Sequence, residues 1–358
     1  MAFNNNFLSN NFFSICIQCV LFTLLLFVSC GMHKEEDSIS VFEETEKIFS
    51  SKTYETEDVY MRYPFRICKK QSRAYVIDIH ALENYCHEFE YPNMKYIRSF
   101  AKKGTGAGEF LDAENVRANS TNTWILDANR GKISKFDCEI SEKPIDEINL
   151  SKKLLRTLDF DFYNDSVFIV PDYTGESRFC FVDMNGEIID SFYEIPTRNK
   201  DENIANIALA QAWRSFLDYN EENGILALAT QLGQVIEFYD LKNKSLVNIF
   251  YGTHGEPQFS IAEGYAIPKG IMGYSDIYVG KTHIYAIFWG HSFESIMNGG
   301  QNDTGEGGRY IHQFDLKGNP VKEFILDKHI TGFLVDEENR RIIGLDVNQD
   351  QPIVEFLF

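Results

Sequence analysis

Residues 124–137 read Trp124-Ile125-Leu126-Asp127-Ala128-Asn129-Arg130-Gly131-Lys132-Ile133-Ser134-Lys135-Phe136-Asp137. Two short runs of β-branched and aromatic residues flank a polar turn that ends in glycine, and this pattern predicts two antiparallel strands joined by a tight hairpin. The second strand ends in an aromatic residue followed by aspartate. The aspartate can accept hydrogen bonds from the backbone of the next turn, so the strand is predicted to lead into another hairpin.

The same strand ending recurs along the chain. An aromatic or aliphatic residue precedes Asp137, Asp183, Asp240 and Asp315, which are separated by 46, 57 and 75 residues. A loose period of this size is typical of propeller blades with insertions. The clearest group of four predicted strands covers 215–218, 225–230, 234–240 and 246–251. The sequence therefore predicts an all-β fold, a β-propeller of six four-stranded antiparallel blades.

The last group of strands, after residue 331, contains three strands where a blade needs four. A propeller closes its ring when an N-terminal strand completes the last blade, and we expect 58–63 to be that strand. We therefore predict a signal peptide at 1–29, an acidic tether at 30–57 and the propeller at 58–358. One helix is expected, around 203–215.

The first 30 residues have the pattern of an export signal. An apolar run from residue 15 to 28 is too short to cross a bilayer comfortably, and it ends at Val28-Ser29-Cys30. This ending resembles the lipobox of bacterial lipoproteins, in which the mature chain starts at an acylated cysteine. The resemblance implies lipidation at Cys30, so that the protein is held at a membrane by its lipid alone.

Composition limits the partners of this chain. The formal net charge of −19 argues against nucleic acid, because phosphate binding requires clustered Lys and Arg. Cys68, Cys86, Cys138 and Cys180 would remain after processing, and no pair has the C-x-x-C spacing of a zinc or redox site. We expect these four cysteines to be free thiols.

Several of these segments point to a known family. Gly108-Glu109-Phe110 together with residues 124–137 resembles an NHL-type propeller repeat, and residues 59–358 resemble the TolB-like six-bladed propeller lipoproteins of Bacteroidota. The acidic stretch Lys34-Glu35-Glu36-Asp37 resembles the export signal of surface lipoproteins in that phylum. The resemblance implies an outer-membrane lipoprotein on the cell surface, with the periplasmic face as the alternative.

Candidate binding residues fall into two sets. A long polar, glycine-rich insert at 289–308 interrupts the fifth predicted blade, and such inserts often form a binding surface. Its candidate contact residues are Trp289, His291, Asn302 and Asp303. The second set is aromatic, Trp213, Tyr219 and Tyr265, which would either stack on a sugar at the central channel or pack in the core.

The sequence is compatible with two functions. The first is a non-catalytic binding or assembly module for an envelope protein or a glycan, with no cofactor and no catalytic residues. The alternative is a hydrolase or lyase that holds Ca²⁺ or another divalent cation at the channel, where the ion would polarise a carbonyl or activate water. The eight histidines show no H-x-H or H-E-x-x-H spacing, and no set of channel ligands can be assigned.

Overall fold

The computed structural model describes residues 41–119, 122–137, 141–199, 204–297 and 305–358. Its strands are β1 (Glu44–Ile48), β2 (Ser50–Thr53), β3 (Pro64–Lys70), β4 (Arg73–Asp78), β5 (Asn84–Glu90), β6 (Lys95–Lys102), β7 (Ala113–Ala118), β8 (Asn122–Asp127), β9 (Lys132–Asp137), β10 (Asp146–Asn149), β11 (Asp161–Asn164), β12 (Val167–Pro171), β13 (Phe179–Asp183), β14 (Ile188–Phe192), β15 (Ser215–Asn220), β16 (Ile225–Thr230), β17 (Val235–Asp240), β18 (Ser245–Tyr251), β19 (Gln258–Ala262), β20 (Tyr265–Lys269), β21 (Tyr274–Val279), β22 (His283–Phe288), β23 (Gly308–Asp315), β24 (Pro320–Ile330), β25 (Phe333–Asp336), β26 (Arg341–Leu345) and β27 (Ile353–Leu357). The helices are α1 (Asn206–Ala212) and α2 (Phe293–Met297).

These strands form the predicted six-bladed propeller. Blades 1 to 4 are the antiparallel sheets β3–β6, β7–β10, β11–β14 and β15–β18, and blade 5 is β21–β24. Blade 6 is β25, β26 and β27, completed by β2. The first strand of each blade lines a central channel. Hydrophobic side chains pack mainly between neighbouring blades, as where Trp124 of blade 2 meets Phe168 of blade 3, with ring centroids 5.5 Å apart.

The aspartates that suggested the repeat have the predicted role in their turns. Asp183 accepts hydrogen bonds from the backbone N–H groups of Asn185 and Glu187. Asp240 and Asp315 bond the backbone of their own turns in the same way. Each carboxylate thereby satisfies donors that the reversal of the chain leaves unpaired. The turn after Asp137 begins at Cys138, which lies outside the described residues.

Ring closure uses a different strand from the one we predicted. β2 at 50–53 pairs with β27, whereas 58–63 forms no strand and instead donates backbone N–H groups from Arg62 and Tyr63 to Asp78. The predicted tether at 30–57 therefore contains part of the fold. The sequence pattern did not predict β1 and β2, because both strands are mostly exposed and polar and Ile48 is their buried side chain.

β1 extends the closure to a second blade. It runs parallel to β24, starting with Glu44 opposite Lys322, and the Lys322 ammonium lies 2.9 Å from the carboxylates of Glu44 and Glu46. Residues 44–53 therefore join blade 5 to blade 6. Cys68, Cys86 and Cys180 are free thiols, as expected. Within the described part of the chain, no helix is long and apolar enough to cross a membrane.

Candidate functional site

Three insertions emerge on one face of the propeller. Because strand direction alternates, links from the second to the third strand of a blade lie on the same face as links to the next blade. α1 lies between blades 3 and 4, the hairpin β19–β20 lies between blades 4 and 5, and residues 289–307, with α2, separate β22 from β23. We call the surface formed by α1, the hairpin β19–β20 and α2 the insert face.

Hydrogen bonds join the parts of the insert face. The backbone N–H of Ala266, in β20, donates to the Gln211 side-chain oxygen of α1 at 3.1 Å. At the base of the hairpin, the N–H of Met272 donates to the carbonyl of His291 at 2.8 Å, and Phe293 N–H donates to the Gly270 carbonyl at 3.0 Å. The three insertions therefore form one continuous surface.

This surface carries exposed apolar side chains. Tyr265 and Ile267 of β20 are 59% and 44% exposed, and Ile261 of β19 is 46% exposed. Ile207 of α1 and Ile296 of α2 are also exposed. By the pairing of the hairpin, Tyr265 and Ile267 share one of its faces and Ile261 lies on the other, so both faces expose apolar side chains.

Two of the four predicted insert residues, Trp289 and His291, lie beside this surface. Trp289 and His291 are half-buried, and their backbones bond the segment that leads into β21. Asn302 and Asp303 lie outside the described residues. The end of the insert reaches the segment before blade 1, where the hydroxyl of Tyr63 donates to the Glu306 carboxylate at 2.7 Å. Burial and this acceptor raise the pKa of Tyr63.

The predicted aromatic set occupies three different surroundings. Trp213 is fully buried beneath α1, where its carbonyl accepts a hydrogen bond from Arg178. Tyr219 lies on β15 and lines the channel, and Tyr265 is exposed on the insert face. Tyr265 is therefore the member of this set that a macromolecular partner can reach. Sugar stacking by these residues stays a prediction.

The channel holds a charged network that the sequence analysis missed. A cavity of ≈250 Å³ opens between the C-terminal halves of the innermost strands, on the face opposite the insert face. Asp161, Asp218 and Asp276 line it, together with Arg66 and Arg117. The three aspartates are 57 and 58 residues apart, so the blade period that identified the hairpins could also have identified them.

The channel aspartates connect successive blades. Asp159 and Asp161 accept the backbone N–H groups of Leu217 and Tyr219, each at 2.9 Å. Asp218 accepts the N–H of Val279 at 2.7 Å, and Asp276 accepts that of Phe333 at 3.3 Å. Each bond crosses to the first strand of the next blade, from the first strand of the blade before it or, for Asp159, from the residues just before that strand. The aspartates therefore fix the inner ends of blades 3 to 6 against each other.

Two arginines lie among the four carboxylates of this network and offset part of their charge. The Arg66 guanidinium lies 2.7 Å from Asp159 and 2.9 Å from Asp276, although these two aspartates belong to different blades. Arg117 lies 2.5 Å from Asp218 and donates to the Leu217 carbonyl at 2.6 Å. The guanidinium groups thus occupy the position beside the carboxylates that a divalent cation would need.

Burial shapes the ionisation of this network. Burial raises the pKa of Asp276, against the opposing effect of Arg66, and it raises the pKa of Asp218, against Arg117. Burial also raises the pKa of the nearby Cys68 thiol to about 12. Among the described residues, no group of three or more His, Cys, Asp or Glu side chains has the geometry of a metal site. The network has the features of a structural lock between blades.

Comparisons with known proteins give a family and a fold. A family model described as TolB-like 6-blade propeller-like matches residues 42–338. The structure is similar to a member of the DUF4221 family from Bacteroides vulgatus, with a TM-score of 0.58 and 13% identity over 86% of this chain and 96% of that one. It is also similar to a protein of Bacteroides fragilis described as exported, with a TM-score of 0.50 and 11% identity over 87% and 97%. No curated protein matches the sequence.

Proposed function

Because the chain belongs to the TolB-like 6-blade propeller family, we propose that it is a non-catalytic binding module of the cell envelope that holds a partner protein on its insert face. The family gives the fold, and the proposal rests on the site, because propellers host many functions. The observation that carries it is the convergence of three insertions on one face. Links between strands need only a few residues, so insertions of this length typically have a function.

The side chains of the insert face favour protein over glycan. Ile207, Ile261, Ile267 and Ile296 are aliphatic, and Tyr265 is the exposed aromatic residue among them. Protein interfaces have apolar centres with aromatic anchors, and an aliphatic surface offers few hydrogen bonds to sugar hydroxyls. We therefore propose a protein as the partner. Glycan binding is one of the outcomes that the test below can detect.

The described part of the chain begins on the face opposite the insert face. β1 starts beside Lys322, close to the turn between β23 and β24, and this turn lies on the channel side, opposite the insert face. If Cys30 is lipidated, as we propose, the eleven residues to Val41 span at most about 40 Å. The relative from Bacteroides fragilis, described as exported, supports an envelope location.

The channel supports the non-catalytic part of the proposal. A cation-dependent hydrolase needs carboxylates that are free to bind the ion and leave a coordination position for substrate. Here Asp218 and Asp276 bond backbone N–H groups of the next blade and also face an arginine. Backbone N–H groups and arginines of other blades already bond both carboxylates. The channel is therefore better suited to stabilising the fold than to catalysis.

The test compares two matched double variants. Tyr265→Ser with Ile267→Ser removes apolar surface from the insert face, and Ile189→Ser with Leu246→Ser removes similar surface from the outer strands β14 and β18, where the two residues are 54% and 45% exposed. Each protein, immobilised, is exposed to a detergent-solubilised envelope fraction. We expect a defined protein set that the first variant loses and the second retains. Equal retention by both variants contradicts the proposal, and capture of polysaccharide alone would replace it with glycan binding.

A further inference from the structure

We propose that the partner adds an extended strand to the free edge of β19. This inference rests on the proposed function and names the form of the partner at the hairpin of the insert face. The hairpin β19–β20 is a separate two-stranded sheet, so each of its strands has one edge that no strand of the described chain covers. The two edges differ in whether their backbone N–H groups are free to bond an added strand.

The register shows which backbone groups face outward. Ala262 pairs with Tyr265 across a two-residue turn, Glu263 and Gly264, whose φ angles of 52° and 84° fit a type I′ hairpin. In such a hairpin the residues next to the turn share hydrogen bonds, and the next pair, Ile261 and Ala266, points its N–H and C=O groups outward. By the same alternation, Phe259 also points its N–H and C=O groups away from β20.

The edge of β20 is closed. The outward N–H of Ala266 already donates to the side-chain oxygen of Gln211 in α1, which also confirms the register. The next outward position is Pro268, which has no N–H to donate. A strand arriving on this side would therefore find a helix and no free backbone donor at either position.

Among the described residues, none covers the outward edge of β19, and the strand lacks the usual protection. Exposed edges generally carry charged residues, Pro or a bulge that prevents pairing with other chains. The outermost strands of blades 1 and 2 follow this rule, with Lys95 and Lys102 in β6 and Asp146 and Glu147 in β10, whereas β18 of blade 4 carries no charge. β19 reads Gln-Phe-Ser-Ile-Ala, with no charge and no proline. Its sequence is suited to pairing with a strand.

A groove beside β19 has room for the side chains of such a strand. It measures ≈470 Å³, and its lining includes Ile204, Pro257, Phe259 and Ile261. An added strand would form backbone hydrogen bonds with Phe259 and Ile261 and place alternate side chains in this groove. This is the β-augmentation mode, in which the main chain supplies affinity and the groove supplies specificity.

Charge defines the partner further. The chain has a formal net charge of −19, and Glu263 is exposed at the tip of the hairpin. A strand that carries Lys or Arg at its outward positions is attracted, whereas a second copy of this acidic chain is repelled. The occupant is therefore an extended segment of another protein, with apolar and basic residues in alternation.

Hydrogen exchange of single backbone amides tests this inference. The probe is a blocked nonapeptide in which valine alternates with lysine and threonine, added at about 1 mM to uniformly deuterated protein and followed by NMR. In the free protein, we expect fast exchange at Phe259 and Ile261 and slower exchange at Ser260 and Ala262, which bond β20. With the peptide, exchange at Phe259 and Ile261 slows by about two-fold or more, the value for half occupancy.

Variants and a modified probe make the result specific. Ile261→Pro removes an outward N–H, and Ile261→Lys adds charge while keeping the backbone intact, so both should abolish the slowing at Phe259, whereas Ile189→Ser should retain it. The same peptide with alternate N-methyl groups should not bind. Slow exchange at Phe259 and Ile261 in the free protein, no response to the peptide, or dimerisation lost in Ile261→Pro would overturn the inference. If envelope capture fails while the peptide binds, the proposed function is wrong but the edge site stands.

Discussion

Arg66→Met tests whether the channel network holds the blades together. The Arg66 side chain is 5% exposed and joins Asp159 of blade 3 to Asp276 of blade 5 from its own position on blade 1. Methionine fills most of the space of the aliphatic stem but carries no charge. The substitution leaves two buried carboxylates without their shared counterion, while their hydrogen bonds to backbone N–H groups remain.

The expected cost follows from the desolvation of these carboxylates. Removing one partner of a buried ion pair lowers the free energy of unfolding by about 3–5 kcal/mol. Two carboxylates lose their partner here, which favours the upper part of that range. Each of them still accepts backbone hydrogen bonds and can take up a proton, which limits the loss. We therefore expect a decrease of about 3–5 kcal/mol at pH 7.

The loss of unfolding free energy in Arg66→Met should depend on pH. Burial already raises the pKa of Asp276, and removing Arg66 removes the effect that opposes burial. The folded variant then binds more protons than its unfolded chain, so its stability increases as the pH falls toward 5. The deficit relative to the original protein is therefore largest at pH 7–8 and smaller at pH 5.

Urea unfolding at pH 5, 7 and 8 measures both effects. A second variant, Asp276→Asn, completes a double-mutant cycle, and its cost should be smaller in the Arg66→Met background than in the original protein. A loss of unfolding free energy below about 1 kcal/mol at pH 7 would refute the structural lock, because an exposed ion pair contributes about that much. A loss that grows as the pH falls would refute it as well.

Three further predictions concern the same framework. Deleting residues 41–53 removes β1 and β2 and should lower the unfolding temperature clearly in calorimetry, because blade 6 loses its fourth strand. Gly186→Ala should destabilise the fold by more than 1 kcal/mol in urea unfolding, since φ is 82° and the new methyl would lie 1.9 Å from the Asn149 carbonyl. A chelator should leave the urea midpoint unchanged, because arginines and backbone N–H groups already bond the channel carboxylates; a clear decrease would favour the cation-dependent alternative.

Much of the fold could be predicted from local sequence. The strands of blade 4 lie within two residues of the predicted ranges, because their apolar runs are bounded by turn residues such as Gly224. The helix expected around 203–215 is α1 at Asn206–Ala212. The hairpin β19–β20 was not predicted, because its two strands lie outside the blade period and its exposed faces mix apolar and polar residues.

What the sequence did not reveal depends on contacts between distant residues. Ser50–Thr53 reads as a polar linker, and its role in closing blade 6 comes from backbone pairing with β27, some 300 residues away. The channel network also depends on contacts between distant residues, since Arg66 contacts Asp159 and Asp276 only when the ring is closed. Tyr265 was predicted as a contact residue within an aromatic set, but its exposure depends on a hairpin that the sequence pattern did not predict.

Site-specific photo-crosslinking in intact cells tests the central claim most directly. Benzoylphenylalanine replaces Tyr265 on the insert face in one variant and Leu246 on β18 in the other, both at exposed positions. The proposal predicts a crosslinked protein adduct of defined mass from position 265 and none of that mass from position 246. No adduct at 265, or the same adducts from both positions, would contradict the proposal that this propeller binds a protein through its insert face.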